Sequence, residues 1–439
     1  MSIPSFDSTT RRFAHDLVDF LFDHVERVDE RPVVDWTPAE DLRRMVRLDL
    51  PHADGIELAR LVAEKSIQLH HPSYMGHQVC PPSPIAILGD LLISTLNQST
   101  AVSEMSPIGT VIEKEIVRWL ATLAGYGEEA EGTMVSGGSA ANLTALLAAR
   151  AKRGSGAVLV SADTHYSMAR AAAIMGLEDV VKIETDDHHR MSVNALAREL
   201  AKRDRVMAIV ATAGSTATGA FDDLEAIADL RDRHDTWLHV DSAHGASVLL
   251  SERLAPLAKG LHRADSLSWD PHKMLWMPVS LGAVLVRDGI WLRRAFQADA
   301  PYLFHAEREA ENLGAMTIQC SKRADAIKLW LSLRMHGPRP FAEAIECVTD
   351  VTRYLYERVN EIEELEAMHE PELNIFCFRH RSGDEVNHAI REKLIRGGTA
   401  WITSTVLKGQ RVLRVTMINP RTTRAHVDRM LEDVLRLAR

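Results

Sequence analysis

Apolar residues fall into two rhythms along this 439-residue chain. Near the start, Phe13, Leu17, Val18, Phe20 and Leu21 recur at close to helical spacing up to the Arg31-Pro32 breaker, which predicts an amino-terminal helix. From about residue 66 the rhythm changes to helices alternating with short β-branched runs. Those runs predict strands at 157–161, 180–184, 206–213, 237–241 and 281–286, with helices at 140–150, 192–202 and 224–234 between them. Such alternation predicts an α/β domain built on a mostly parallel sheet. A long helical stretch then runs from about 324 to 366 and contains Trp330, Leu333 and Met335. The tail, with strands at 374–378 and 412–418 and a helix ending in Val434 and Leu437, reads as a smaller α+β domain. The divisions this implies are a helical segment over 1–65, a large domain over 66–335 and a small carboxy-terminal domain over 336–439.

Composition narrows the classes of function. A net charge of -10 argues against a nucleic-acid or anionic-membrane surface as the main partner. Cys80, Cys320, Cys347 and Cys377 are scattered, which signals neither a disulfide framework nor a zinc site. Asp7, Asp16 and Asp19 interrupt the amino terminus, so no secretory leader is expected, and no apolar run approaches membrane-spanning length. A cytoplasmic enzyme is the expectation. His70, His71 and His77, or Asp186, Asp187, His188 and His189, group metal-binding residue types without a recognisable ligand spacing, so no metal is expected.

Four segments carry candidate chemistry. Ser268-Trp269-Asp270-Pro271-His272-Lys273 offers a lysine whose amine becomes a nucleophile when a dry or electropositive pocket lowers its pKa. Ser136-Gly137-Gly138-Ser139 leads straight into a helix, where glycines admit a close ligand and the helix start attracts an anion such as a phosphate. Taken alone, that segment reads equally as a glycine turn with Ser139 capping the helix. Asp241 ends an apolar strand, at the sheet edge where open α/β sheets bind ligands, and a carboxylate there suits a protonated pyridine nitrogen. It also suits a cap on the turn that follows. His165 and Thr212 stand at two further strand ends; the imidazole could lie on a flat cofactor or simply cap a turn.

These segments together resemble the group II amino-acid decarboxylases, enzymes that depend on pyridoxal 5'-phosphate (PLP) and act on glutamate, aromatic amino acids or diaminobutyrate. The resemblance runs from about Leu69 to Leu435. It includes His70-His71-Pro72-Ser73-Tyr74-Met75-Gly76-His77, Ser106-Pro107, Ile318-Gln319-Cys320, Lys328-Leu329-Trp330 and Asn419-Pro420-Arg421 in the family's order. It implies the aspartate-aminotransferase-like architecture (fold type I), a large domain with a mostly parallel seven-stranded sheet plus a small α+β domain. It further implies a Schiff base on Lys273, a quinonoid intermediate and an amine product from an L-amino acid. Asp241 would hold the pyridine nitrogen, His165 would stack on the ring and the Ala243 methyl would pack on its other face. Gly138, Ser139, Ser266, Asp270 and His272 would surround the phosphate or support the lysine. An aspartate is repelled by phosphate, so Asp270 is expected to orient His272 or to bond backbone amides. Arg414 matches the family's arginine for the substrate carboxylate, a task suited to its planar, permanently charged fork. The resemblance also implies a homodimer with active sites at the interface and the amino-terminal helices wrapped on the partner.

One departure bears on the product. The family carries a tyrosine in a loop that helps protonate the substrate Cα. The corresponding stretch here, His305-Ala306-Glu307-Arg308-Glu309-Ala310-Glu311-Asn312, has none. Relatives that lose it tend to couple decarboxylation to oxidative deamination and release an aldehyde, which is the alternative outcome. Tyr302 has its own family counterpart upstream of that loop. His165, His305 or a partner's loop residue are the replacement proton donors. Ser99 and Ala101 lie in a segment that lines the partner's pocket in the family, and their small size disfavours an aromatic substrate. His77 could face the substrate side chain or serve only the local structure.

Overall fold

The computed structural model describes residues 6–49, 53–297 and 312–439. The described chain divides into two compact units. One comprises Gln78–Thr352 with His369–Phe376; the other gathers Met1–His77, Arg353–Met368 and Cys377–Arg439. Among the described residues no helix is long and apolar enough to cross a membrane.

The larger unit carries seven strands: β1 (Glu131–Val135), β2 (Ala157–Ser161), β3 (Val180–Ile183), β4 (Val206–Thr212), β5 (Trp237–Asp241), β6 (Ser266–Trp269) and β7 (Gly282–Val286). Their order is β1-β7-β6-β5-β4-β2-β3. The pairs β6/β5, β5/β4, β4/β2 and β2/β3 are parallel, and β7 alone runs against its two neighbours. Strands covered on both faces read as continuous apolar runs, and β2, β5 and β7 are buried along their whole length. Helix Gly138–Arg153 contributes Ala141, Ala145 and Ala148 to one core cluster with Val158, Val210 and Val284. Small side chains let this helix lie close on the sheet, which fixes where its first turn ends up.

Five predicted strands of this sheet are present, three with shifted ends. β1 and β6 escape the β-branched pattern because Glu-Gly-Thr-Met-Val and Ser-Leu-Ser-Trp are short and mixed. The helical stretch expected over 324–366 consists of two helices, Ala326–His336 and Arg339–Glu361, parted at Gly337-Pro338, and its end is a strand. Gly337 has φ +71°, which favours glycine, and Pro338 lacks the amide that would continue the helix.

The smaller unit is built around β8 (Leu365–Ala367), β9 (Ile375–His380), β10 (Thr403–Leu407) and β11 (Gln410–Thr416), in the order β10-β11-β9-β8. Lys408 and Gly409, both at positive φ, form the two-residue turn between β10 and β11, a turn whose twist matches antiparallel strands.

Candidate active site

The carboxyl edge of the parallel strands collects most of the predicted residues. β1 leads to Gly138, β2 to His165, and β6 to Asp270 and Lys273, while Thr212 and Asp241 end β4 and β5 in register with each other. Asp270 is the hub of the lysine side. Its Oδ2 lies 3.1 Å from Lys273 Nζ and 3.6 Å from His272 Nε2, and accepts the Gly138 amide at 2.9 Å. His272 Nδ1 accepts the Leu281 amide at 3.1 Å, so its ring is held from the other side. Burial is the main reason that the His272 pKa lies below the ordinary histidine value, with Asp270 opposing it. The close approach of these segments needs a glycine at 282, where a Cβ would stand 2.6 Å from Asp270 Oδ1 and from Gly137 Cα. A Cβ on Gly138 would stand 2.9 Å from the Ala243 methyl.

Asp241 is buried, yet every bond it makes is to a donor. Asn142 Nδ2 donates to Oδ2 at 2.9 Å; Ser268 Oγ and the Ala243 amide donate to Oδ1 at 3.1 and 3.3 Å. Ser266 is not brought to this edge. It opens β6, opposite His239, where its hydroxyl bonds Trp237 Nε1 and His239 Nδ1. Side chains alternate along a strand, so Ser268, two residues further on, reaches Asp241 from the same face.

His165 is half-buried, its Nδ1 2.8 Å from Ser167 Oγ. Burial lowers its pKa first; Lys273 and Arg170 lower it further, while Asp241 and Asp270 oppose the shift. Thr212 donates its amide to Asp222 Oδ2 at 2.7 Å, and its own buried hydroxyl has no protein partner among the described residues. Burial pushes the Asp222 carboxyl up to about 7 against the two backbone amides it accepts. Ser139 does not cap its helix: the cap is Gly137, which makes no side-chain bond, and Ser139 stands exposed in the first turn.

The remaining candidates lie elsewhere. In the smaller unit, Arg414 is buried on β11 and donates to the Gly76 carbonyl and to Thr403 Oγ1 at 3.4 and 3.3 Å. Burial lowers its pKa. His77 is near enough that, after burial, Arg414 is the largest influence lowering its pKa. Ser99 belongs to the larger unit, and its hydroxyl is engaged with the Cys320 carbonyl and the Ala101 and Lys322 amides. Tyr302 and the stretch 305–311 lie outside the described residues.

Asn142, Ser268 and Asp222 were not singled out in the sequence. Asn142 is readable only as a polar residue on the otherwise apolar face of an alanine-rich helix, and Asp222 as one of two adjacent aspartates before a helix. The residues present fit PLP. An amine, a glycine-lined helix start with an exposed hydroxyl, a buried carboxylate fixed by donors and the orphaned Thr212 hydroxyl share one sheet edge. That set offers attachment, an anion site and a partner for a ring nitrogen.

Comparison with known proteins agrees. The pyridoxal-dependent decarboxylase conserved domain matches residues 57–381. The aromatic-L-amino-acid decarboxylase of Bacillus atrophaeus is 31% identical, over 97% of this chain and 94% of that protein. The L-2,4-diaminobutyrate decarboxylase of Rhizobium meliloti is 36% identical, over 87% and 81%. The solved structure of mouse CSAD has a TM-score of 0.92 at 28% identity, covering 99% of this chain and all of that one.

Proposed function

This chain belongs to the pyridoxal-dependent decarboxylase family, and from that premise we propose that it converts an L-amino acid to the corresponding amine, using Lys273 to attach the cofactor. The enzyme is a PLP-dependent carboxy-lyase, and PLP supplies an electron sink for the pair left behind when carbon dioxide departs. The observation that carries the assignment of residues is the pairing of Lys273 with Asp270 on the same sheet edge as the donor-held Asp241.

In this reading Asp270 holds the Lys273 amine in place and bonds the Gly138 amide, the second of its two expected tasks. Asp241 would offer its fixed negative charge to the cofactor's ring nitrogen, and His165 and Ala243 would hold the ring between them. Ser139 and Thr212 supply hydroxyls, and His272 packs behind the lysine. Arg414 binds the substrate's α-carboxylate; its buried guanidinium is suited to a planar, two-point contact. His77, beside Arg414, borders the substrate. His165 holds the proton delivered to Cα.

A second copy of the chain is part of the same reading. Helices Pro84–Leu96 and Pro107–Leu123 leave Leu88, Leu91, Leu92, Ile108 and Val111 exposed, an apolar display that supports a homodimer. Sedimentation equilibrium tests it: a wild-type dimer that Leu91→Glu converts to monomer is expected, and a monomeric wild type refutes it. The four unbridged cysteines are in keeping with a cytoplasmic site of action.

Product analysis by mass spectrometry tests the reaction. The PLP-loaded protein is incubated in air with L-amino acids spanning aromatic, acidic and diamino side chains, and peroxide is followed in parallel. Amine without peroxide is expected. Aldehyde with stoichiometric peroxide and ammonia would establish oxidative deamination, which the tyrosine-free stretch 305–312 favours.

A further inference from the structure

Asn142 is buried to 1% exposure, and no part of the catalytic reading uses it. Its amide meets three partners. Nδ2 lies 2.9 Å from Asp241 Oδ2 and 3.1 Å from Ser167 Oγ, and Oδ1 lies 3.0 Å from His239 Nε2. Beyond these, His239 Nδ1 is 3.0 Å from Ser266 Oγ, which accepts Trp237 Nε1 at 2.8 Å. On the other branch Ser167 Oγ is 2.8 Å from His165 Nδ1.

Elementary donor and acceptor chemistry gives every bond in this chain one direction. The Asp241 carboxylate only accepts, so Asn142 gives it an Nδ2 hydrogen and turns Oδ1 to His239 Nε2, which must carry the ring proton. His239 Nδ1 then accepts the hydrogen of Ser266, whose oxygen takes the Trp237 indole N–H. The two amide hydrogens of Asn142 serve Asp241 and Ser167. Ser167, having accepted, donates to His165 Nδ1, and the Ser167 backbone amide points at the same nitrogen at 3.3 Å. The proton of neutral His165 therefore sits on Nε2. Reversing the polarity would turn Asn142 Oδ1 toward the Asp241 carboxylate, oxygen against oxygen. Trp237, Ser266, His239 and Ser167 are all buried, and burial pushes the His239 pKa down to about 4, so the imidazole stays neutral near pH 7. A buried network is costly when one member lacks a partner and specific when all are satisfied.

We propose that Asn142 is a positioning residue that aims the Asp241 carboxylate and, through Ser167, sets the His165 ring with its proton on Nε2, while Trp237, Ser266 and His239 fix Asn142 itself. The inference rests on the reading that Asp241 and His165 flank the cofactor. One side-chain amide thus couples the carboxylate assigned to the ring nitrogen with the imidazole assigned to the ring's face. Sequence distance hides the coupling, since Asn142 and Asp241 are 99 residues apart.

The test uses the full-length holoenzyme and substitutes His239, which lies one link away from Asp241. In His239→Leu the Asn142 carbonyl loses its donor. The expected result is a fall of about tenfold in kcat with KM changed less than about twofold, and a shifted absorption band of the bound cofactor. His239→Gln places an amide nitrogen where the imidazole Nε2 stands, and should restore kcat to within about threefold of wild type. Wild-type kcat and spectrum in His239→Leu would overturn the proposal, as would an equal loss in His239→Gln and His239→Leu. Should His239→Leu fail to fold, Ser266→Ala removes only the hydroxyl that bonds His239 Nδ1; a loss of about threefold with the same spectral shift is expected, and no change overturns the role. Asp241→Asn separates the two readings. If it leaves kcat and spectrum intact, the placement of Asp241 against the cofactor is wrong and the inference falls with it; if it is damaging while His239→Leu is silent, only the role of Asn142 is lost.

Discussion

Two lysine–carboxylate pairs in the larger unit show how one kind of contact serves different ends. Lys322 is 2% exposed and reaches both oxygens of Glu113, at 2.5 and 2.6 Å. Glu113 also accepts the Thr133 hydroxyl, the Met134 amide and the Thr100 hydroxyl, at 2.9, 2.8 and 3.3 Å. Lys273 is 18% exposed and touches one oxygen of Asp270, whose other oxygen is buried without a hydrogen-bond partner among the described residues. The first pair is saturated, and parting it would strand a charge. The second is incomplete, so its amine can leave the carboxylate while Asp270 keeps the Gly138 amide. In these two pairs, saturation goes with the frame and an unfilled bonding capacity with the site.

The largest effect comes from removing the poised lysine. Lys273→Ala is expected to lower kcat by at least about a thousandfold and to abolish the absorbance of attached PLP. A retained visible cofactor band would reassign the attachment point. The frame responds in stability instead. Lys322→Met leaves Glu113 as a buried, unpaired charge and should cost about 3–5 kcal/mol in urea unfolding. Specific activity per folded molecule should hold. A cost below about 1 kcal/mol would mean that this pair is as loose as the other.

Acid sharpens the contrast, because the site is backed by a histidine. The His239 pKa is about 4 in the folded chain and near 6.5 when unfolded. Its neutral form is the one folding favours, so its contribution is complete above about pH 6.5. Below that the unfolded chain binds the proton first, and stability falls until about pH 4, by at most about 1.4 kcal/mol per pH unit. Urea midpoints at pH 7 and pH 5 should show this fall, which His239 shares with His70 and His369, whose pKa values burial also lowers to about 4. His239→Gln should lessen it by one histidine's part; an unchanged fall would place the acid sensitivity elsewhere.

The strand ends were legible because a doubly covered parallel sheet writes its strands as apolar runs, and the polar residue that stops each run lands on one edge. Asp241 and Thr212 could be read on that basis, whereas Lys273 follows β6, which escapes the pattern, and stood out only through its own segment and the company of the others. Ser266, which only the resemblance set near the phosphate, opens β6 opposite His239 and bonds Trp237 and His239. Asn142 and the Glu113–Lys322 pair were illegible for another reason. Each has its meaning in a partner 97 to 209 residues away, and a helical Asn or Glu looks like a solvated face until the fold closes over it. Pattern reports which face a residue occupies, whereas pairing across the sheet depends on topology.

The smallest effect is the most discriminating about the frame. Glu113→Gln combined with Lys322→Met removes both charges but keeps an amide oxygen to accept from Thr133 and Met134. Nothing buried is left unpaired except one amide group, so the double variant should lose only about 1 kcal/mol, less than Lys322→Met alone. Additive loss in the double variant would show that the lysine stabilises by packing its stem, not by neutralising Glu113. The same exchange at the site, Asp270→Asn with Lys273→Met, should cost no more than about 1 kcal/mol of stability while eliminating activity. A frame pair can be replaced by shape, whereas the Lys273 amine has a reaction to perform.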